Sequence, residues 1–238
     1  MQMHLVIPPV NAKLSRKTEQ ETEKGKSPKK EENPMKLYYS PGACSLSPHI
    51  ALLEAGLPYD LVKVDVRAKK LENGDDFLKV NPKGQVPALE LDSGEIVTEG
   101  PVIVQMIADK AAAKNLAPSR DSAERYKLLE WLNFITTELH KNFSPLFQPV
   151  IPDEVKAFFK DRLMGKFRYA DGKLAGQDYL MGKQFNVADG YLFVMLKWAE
   201  RTGMDLSALT NLMAFKDRVA ARPKVQEALT KEGLLKAA

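Results

Sequence analysis

The stretch 81–100, NPKGQVPALELDSGEIVTEG, constrains the fold of this chain more than any other, because it strings several backbone devices together. Pro87 follows Val86 where an apolar, strand-like run begins. A proline there removes a ladder donor and permits a cis bond. Asp92-Ser93-Gly94 reads as a hairpin turn, with the glycine supplying a positive φ. Glu99-Gly100-Pro101 then opens a helix. Proline suits a first helical turn, and the free N–H groups of that turn bind anions. The order strand, hairpin, strand, helix mouth describes a unit that offers backbone groups to an extended peptide and receives a carboxylate at a helix end.

The sequence ahead of this stretch predicts a strand over about 35–39, a helix over about 45–55 and a strand over about 59–65. Gly56 and Pro58 stop the helix, and Val62, Val64 and Val66 mark one buried face of the second strand. A β-α-β-β-β-α unit of this kind needs one right-handed crossover and ends near residue 110. After Ala117-Pro118 the texture changes to helices at a 3.6-residue period, broken by Pro145, Pro149, Pro152, Gly182, Gly203 and Pro223. We therefore expect an α/β domain over 35–114 and an all-α domain over 119–238. Residues 1–34, rich in Lys, Glu, Pro and Ser, are expected to be a disordered extension with no assigned role. Their start, MQMHLVIPPV, lacks the basic n-region and apolar length of a secretory signal.

Charge and composition narrow the function classes. The net charge of +4 is small and mixed in sign, with seven Lys/Arg against five Asp/Glu in residues 1–34, so nucleic acid is not an expected partner. No apolar run approaches the length of a membrane span, so no membrane partner is expected either. The single cysteine, Cys44, excludes an intrachain disulfide and fits a reducing, cytoplasmic compartment. His4, His49 and His140 are too widely spaced to read as metal ligands, and no metal is expected. The interval from Gly176 to Gly182-Lys183 is one residue too long for a phosphate-binding loop and lacks its hydroxyl, and no dinucleotide-binding glycine fingerprint is present.

Four groups of residues could carry chemistry. Cys44 follows Pro41-Gly42-Ala43 at the start of the first helix, where the positive end of the helix dipole is expected to favour a thiolate. Ser45 and Ser47 offer hydroxyls, at least one of them as an N-cap. Glu99 could hold an ammonium group while the Gly100 N–H takes a carboxylate, although an acidic residue at a helix start also serves the dipole alone. The long helix from about Ser122 has a core stripe, Leu128, Trp131, Leu132, Ile135 and Leu139, and a polar stripe, Asn133, Thr137, His140 and Lys141. The polar stripe faces either solvent or a cleft. Asn186-Val187-Ala188-Asp189 reads as a structural helix cap, with Phe185 as a staple whose partner is Gly190 or, in its place, Tyr191.

The segments MKLYYSPGACSLSPHIAL, NPKGQVPAL, TEGPVIVQ, RYKLLEWLNFITTELHKNFSPLF and NVADGYLF together resemble bacterial beta-class glutathione transferases, from Met35 to about Leu235. The resemblance implies the glutathione transferase architecture: an α/β thioredoxin-like N-terminal domain, an all-α C-terminal domain, a homodimer, and glutathione as co-substrate between the domains. The activity it implies is attack of the glutathione sulfur on a small hydrophobic electrophile, with thiol–disulfide exchange or dehalogenation through Cys44 as a second chemistry. Carried over residue by residue, it puts the catalytic pair at Cys44 and His140. It puts glutathione contacts at Ala43, Cys44, Lys69, Val86, Pro87, Glu99, Gly100, His140 and Lys141, with Asn133 reaching across the dimer. It puts Tyr39 and Trp198 near the electrophile pocket and turns the polar stripe of the long helix toward the cleft. A non-catalytic ligand-binding or transcription-associated protein sharing the fold is the alternative. An intact set of Cys44, Glu99 and His140 argues against it.

Overall fold

Strand β1 (Met35–Tyr39) alternates its side chains between two unequal apolar layers. Leu37 and Tyr39 enter the main core, while Tyr38 faces a small cluster with Val64, Phe77 and Ala88. The computed structural model describes residues 34–235. The disordered extension expected over 1–34 therefore lies outside the described residues except for Pro34. Around β1 the sheet has the order β3-β2-β1-β4-β5. The helix α1 (Leu46–Ala55) makes the crossover to β2 (Tyr59–Asp65), which lies parallel to β1 with Leu37 opposite Leu61. Strands β4 (Ala88–Glu90) and β5 (Ile96–Thr98) form the expected hairpin, antiparallel to β1 and to each other.

Two features of the sheet differ from the pattern in the sequence. A two-residue edge strand, β3 (Lys70–Leu71), pairs with β2, too short to leave any periodic signal. Strand β2 also packs on both faces, Tyr59 and Leu61 on the main core and Val62 and Val64 on the small cluster.

Helix α2 (Gly100–Lys110) lies beside α1, and helical structure resumes at α3 (Ala123–Phe134). Arg125, buried in α3, grips Asp109 of α2 through two nitrogens at 2.9 and 3.1 Å and the Pro118 carbonyl at 3.0 Å. The join between the α/β part and the helical part is thus clamped by a bidentate ion pair. Beyond it lie a short α4 (Lys141–Phe143), α5 (Asp153–Lys173), α6 (Val187–Arg201), α7 (Thr210–Ala220) and α8 (Pro223–Lys231). Pro145 sits in a 3₁₀ turn, Pro152 caps α5 and Pro223 opens α8, as their sequence positions suggest.

One apolar core runs through both parts. Nine of the ten residues of α1 are buried, because α1 has the sheet beneath it and α2, α6 and α8 around it. Gly190 of α6 contributes to that fit: a Cβ there would reach Ile50 of α1 and the Phe185 ring, each at 3.6 Å. The cap of α6 forms as expected, with the Ala188 N–H donating to Asn186 Oδ1 and the Asn186 N–H to Asp189 Oδ2. Asp189 also accepts from the Leu180 N–H at 2.8 Å, and complete burial pushes its carboxyl up to about 7. The Phe185 ring lies over Gly190 itself.

Candidate active site

A cleft of about 590 Å³ opens between the sheet part and the end of the α3 region, and Cys44 lies in its wall. The wall on the sheet side is mostly backbone. The Val86–Pro87 peptide is cis, as the sequence allows, and the Val86 carbonyl accepts the Cys44 Sγ–H at 3.2 Å. The loop before it is pinned from two sides. Lys69, itself at φ +58, donates its ammonium to the Gly84 carbonyl at 2.7 Å, and Asn81 donates to the Gln85 carbonyl at 2.7 Å. Gly84 cannot be replaced without strain: its φ is +63, and a Cβ would meet Leu78 and Lys69 at 3.1 and 3.2 Å.

At the far end of this wall Glu99 caps α2 at φ +71, a strained conformation for a non-glycine residue. Its carboxylate accepts from the Lys83 ammonium at 2.6 Å, a partner within the chain and not the ligand ammonium its position suggests. Lys83 also reaches the Thr98 hydroxyl at 2.9 Å. Gly100 opens the helix with a first-turn N–H that has no intrahelical acceptor.

The opposite wall is side chain, and mostly aromatic. His140 Nδ1 lies 2.5 Å from the Tyr191 hydroxyl, and the His140 ring stands edge-on to Trp198 with centroids 4.9 Å apart. Trp198 is edge-on in turn to Phe143 and Phe147, and its indole N–H donates to the Gly42 carbonyl at 2.8 Å. Burial, aided by the neighbouring Lys141 ammonium, depresses His140 to about 4, so the ring is neutral at physiological pH. Burial raises the Tyr191 phenol, which stays protonated.

This wall also corrects the reading of the long helix. From Ile135 to His140 the helix widens into a π-helical segment before α4. The wider turn shifts the register relative to a 3.6-residue repeat. Thr136, His140, Lys141 and Ser144 line the cleft, while Asn133 and Thr137 are exposed outside it. The expected stripe is therefore split, and Thr136 takes the place given to Thr137.

Cys44 departs further from expectation. The helix start and Lys141 do pull its thiol toward ionisation, but burial outweighs them and pushes it up to about 12. The group facing the Val86 carbonyl is a neutral thiol. Neither nearby serine caps α1: Ser45 exchanges hydrogen bonds with the Ser40 backbone, accepting at 3.1 Å and donating at 3.2 Å. The loop 40–44 is held from the helical part instead. The Gly42 N–H donates to Glu232 Oε2 at 2.9 Å, and Glu232 Oε1 lies 2.8 Å from His49 Nδ1, whose other nitrogen meets the Tyr59 hydroxyl at 2.9 Å.

The structure thus brings together Ala43, Cys44, Lys69, Val86, Pro87, Glu99, Gly100, His140, Lys141 and Trp198. It places Tyr39 elsewhere, in the main core with its ring 6.3 Å from His49 and outside the cleft lining. Lys83 and Tyr191 were missed. Tyr191 is seven residues before Trp198, on the same face of α6, and that spacing was a usable signal. Lys83 left none, because its partner is 16 residues away. Among the described residues no three His, Cys, Asp or Glu side chains converge as metal ligands would.

Comparison with known proteins bears on this arrangement. Residues 42–110 match the family model for the glutathione S-transferase N-terminal domain, and residues 134–223 match that for the C-terminal domain. The chain is 49% identical over 200 residues to glutathione S-transferase GstA of Escherichia coli O157:H7, covering 84% of this chain and all of that protein. A sphingomonad glutathione S-transferase solved in complex with glutathione is 50% identical, with a TM-score of 0.81 over 84% of this chain and all of its own. A bacterial beta-class enzyme of Sphingomonas chungbukensis is also 50% identical, with a TM-score of 0.82 and the same coverage.

Proposed function

The chain belongs to the glutathione S-transferase family, and from that premise we propose how its cleft divides the transferase reaction between two walls. Glutathione lies along the sheet wall. Its γ-glutamyl end meets Glu99 and the Gly100 N–H, its cysteinyl backbone meets Val86 beside Pro87, and Lys69 serves the glycyl end. The electrophile lies against Trp198 on the aromatic wall. The observation that supports this reading is the convergence of both residue sets on one cleft with Cys44 between them.

The nucleophile is the glutathione sulfur. In the tautomer this reading requires, the Tyr191 hydroxyl donates to His140 Nδ1 and the ring keeps its proton on Nε2 as a donor for the sulfur. That N–H, the Ala43–Ser45 end of α1 and Lys141 stabilise the glutathione thiolate, and the closed site supplies proximity. The sulfur forms its bond to the electrophilic carbon as the leaving group departs with its electrons.

A second chemistry, disulfide exchange through Cys44, is favoured by the position of that thiol at a helix start and opposed by its burial. It needs the thiolate, so exchange should be slow near neutral pH. We propose further that the protein works in the cytoplasm as a homodimer. Asn133 and Tyr126 share an exposed face of α3, and Asn133 would complete the partner's site across it. Size-exclusion chromatography with light scattering tests the dimer.

The deciding experiment is intact-protein mass spectrometry after incubation with oxidised glutathione from pH 7 to pH 10, beside conjugation assays on the same samples. Wild type should bind a glutathione-affinity column and form little adduct at pH 7, with faster adduct formation as pH rises. Cys44→Ala should lose the adduct entirely while keeping conjugation within several-fold. Loss of both together would overturn the division of roles.

A further inference from the structure

Past Phe147, which lines both, the helical part carries a second, open hollow of about 340 Å³ beside the cleft. Its lining includes Leu146, Phe147, Asp153, Lys156, Lys160 and Arg201. Three cations meet one carboxylate here, and only Lys156 is near it, at 3.6 Å from Asp153. Among the described residues neither Lys160 nor Arg201 has a carboxylate within ion-pairing distance. The Arg201 guanidinium lies over the Phe147 ring, 5.8 Å from its centroid, and Phe147 is also edge-on to Trp198 in the cleft.

Helix stability does not account for this gathering of charge. Arg201 ends α6, where a cation suits the dipole, but Lys156 and Lys160, the fourth and eighth residues of α5, gain nothing from its N-terminal end. They come from a different helix and still converge on the cavity that holds Arg201. Lys156 and Lys160 are half-buried and Arg201 is exposed beside them, and like charges gathered around one hollow repel unless an anion joins them. Leu146 and Phe147 give the cavity an apolar side as well.

We propose that this cavity is an anion subsite of the electrophile pocket, which selects aromatic electrophiles bearing a carboxylate or sulfonate. The inference rests on the reading of the cleft as a glutathione transferase site. The ring of the electrophile packs along Trp198 and Phe147, and its anionic group passes beyond Phe147 to Lys160 and Arg201. The chemistry is ordinary aromatic substitution. The glutathione sulfur bonds to the ring carbon, chloride leaves with the bonding pair, and the thiol proton passes to solvent.

The test is a matched pair of substrates, 4-chloro-3,5-dinitrobenzoate and its neutral carboxamide, assayed for conjugation at low and high salt. In wild type kcat/KM should favour the acid about tenfold, and the preference should shrink as salt screens the subsite. Lys160→Ala and Arg201→Ala should each reduce the acid-to-amide ratio several-fold, and Lys160→Arg should restore it. Equal kcat/KM for acid and amide in wild type, or a ratio unmoved by both alanine variants, overturns the subsite. Turnover of neither substrate overturns the transferase reading beneath it. Thermal unfolding of each variant separates a fold defect from a lost contact.

Discussion

On the sheet side of the cleft, what faces a ligand is held in place by the chain's own short-range geometry: a cis peptide at Val86–Pro87, a glycine at φ +63, a helix mouth at Glu99. On the helical side the facing groups are side chains, His140, Tyr191, Trp198 and Phe147, held edge-to-face by packing. A backbone wall presents the same donors and acceptors whatever the side chains do, which suits a ligand that never changes. An aromatic wall can be repacked residue by residue, which suits a variable one. On the proposed division of the cleft, one transferase joins a fixed recognition surface for glutathione to an adaptable surface for its partner substrate.

The sharpest way to break the contrast is to remove what ties the two walls together. Glu232 is buried, holds buried His49 and supports Gly42 beside the thiol. Glu232→Ala should destabilise the fold by about 3–5 kcal/mol, the usual result of stripping one partner from a buried pair, read as a lower urea midpoint. A loss below 1 kcal/mol would mean that the loop is held by its own turns.

Glu99 tests the fixed wall directly. Glu99→Ala should raise KM for glutathione by roughly 30-fold, the equivalent of about 2 kcal/mol for a charged hydrogen bond, and leave KM for the electrophile unchanged. If both constants rise together, the walls do not divide the substrates as described.

The aromatic wall predicts a pH signature. His140 is depressed to about 4 in the folded chain against an ordinary value near 6.5, so the unfolded chain binds the extra proton between those values. Stability contributed by the neutral ring is present above pH 6.5 and falls as pH drops from about 6.5 toward 4. Urea midpoints of wild type should decline across that window more steeply than those of His140→Gln. Parallel slopes would show that the ring is not titrating as its burial requires.

The smallest effect separates adjacent threonines. Thr136→Val should change electrophile KM a few-fold, whereas Thr137→Val should be near neutral, because the π-helical turn puts only Thr136 in the cleft. The reverse result would restore the uninterrupted 3.6-residue stripe.

The contrast between walls is also a contrast in legibility. Pro87, Gly84 and the Glu99-Gly100-Pro101 helix mouth announce themselves locally, since proline and glycine impose their geometry wherever they stand. The first two long strands and α1 were legible for the same reason, with Gly56 and Pro58 as punctuation. The aromatic wall was legible only in part. Periodicity located His140 and Lys141 but misplaced Thr137, because a single widened turn changes the face without changing the composition. Tyr39, given to the electrophile pocket by resemblance alone, sits in the main core outside the cleft lining. Lys83, Glu232 and Arg201 act through partners distant in the chain, and a single sequence carries no trace of such meetings.

The bond from Gly42 to Glu232 spans 190 residues, and this sets an order of events during synthesis. At ordinary elongation rates residue 232 leaves the ribosome roughly 10 to 40 seconds after residue 42. Until then the loop bearing the only thiol lacks the carboxylate beneath it, and α1 lacks its last neighbour, α8. The α/β part can be translated early, but its working end is finished by nearly the last turn of the chain. A transferase chain therefore lacks the Glu232 contact beneath its Gly42 loop until residue 232 has been made.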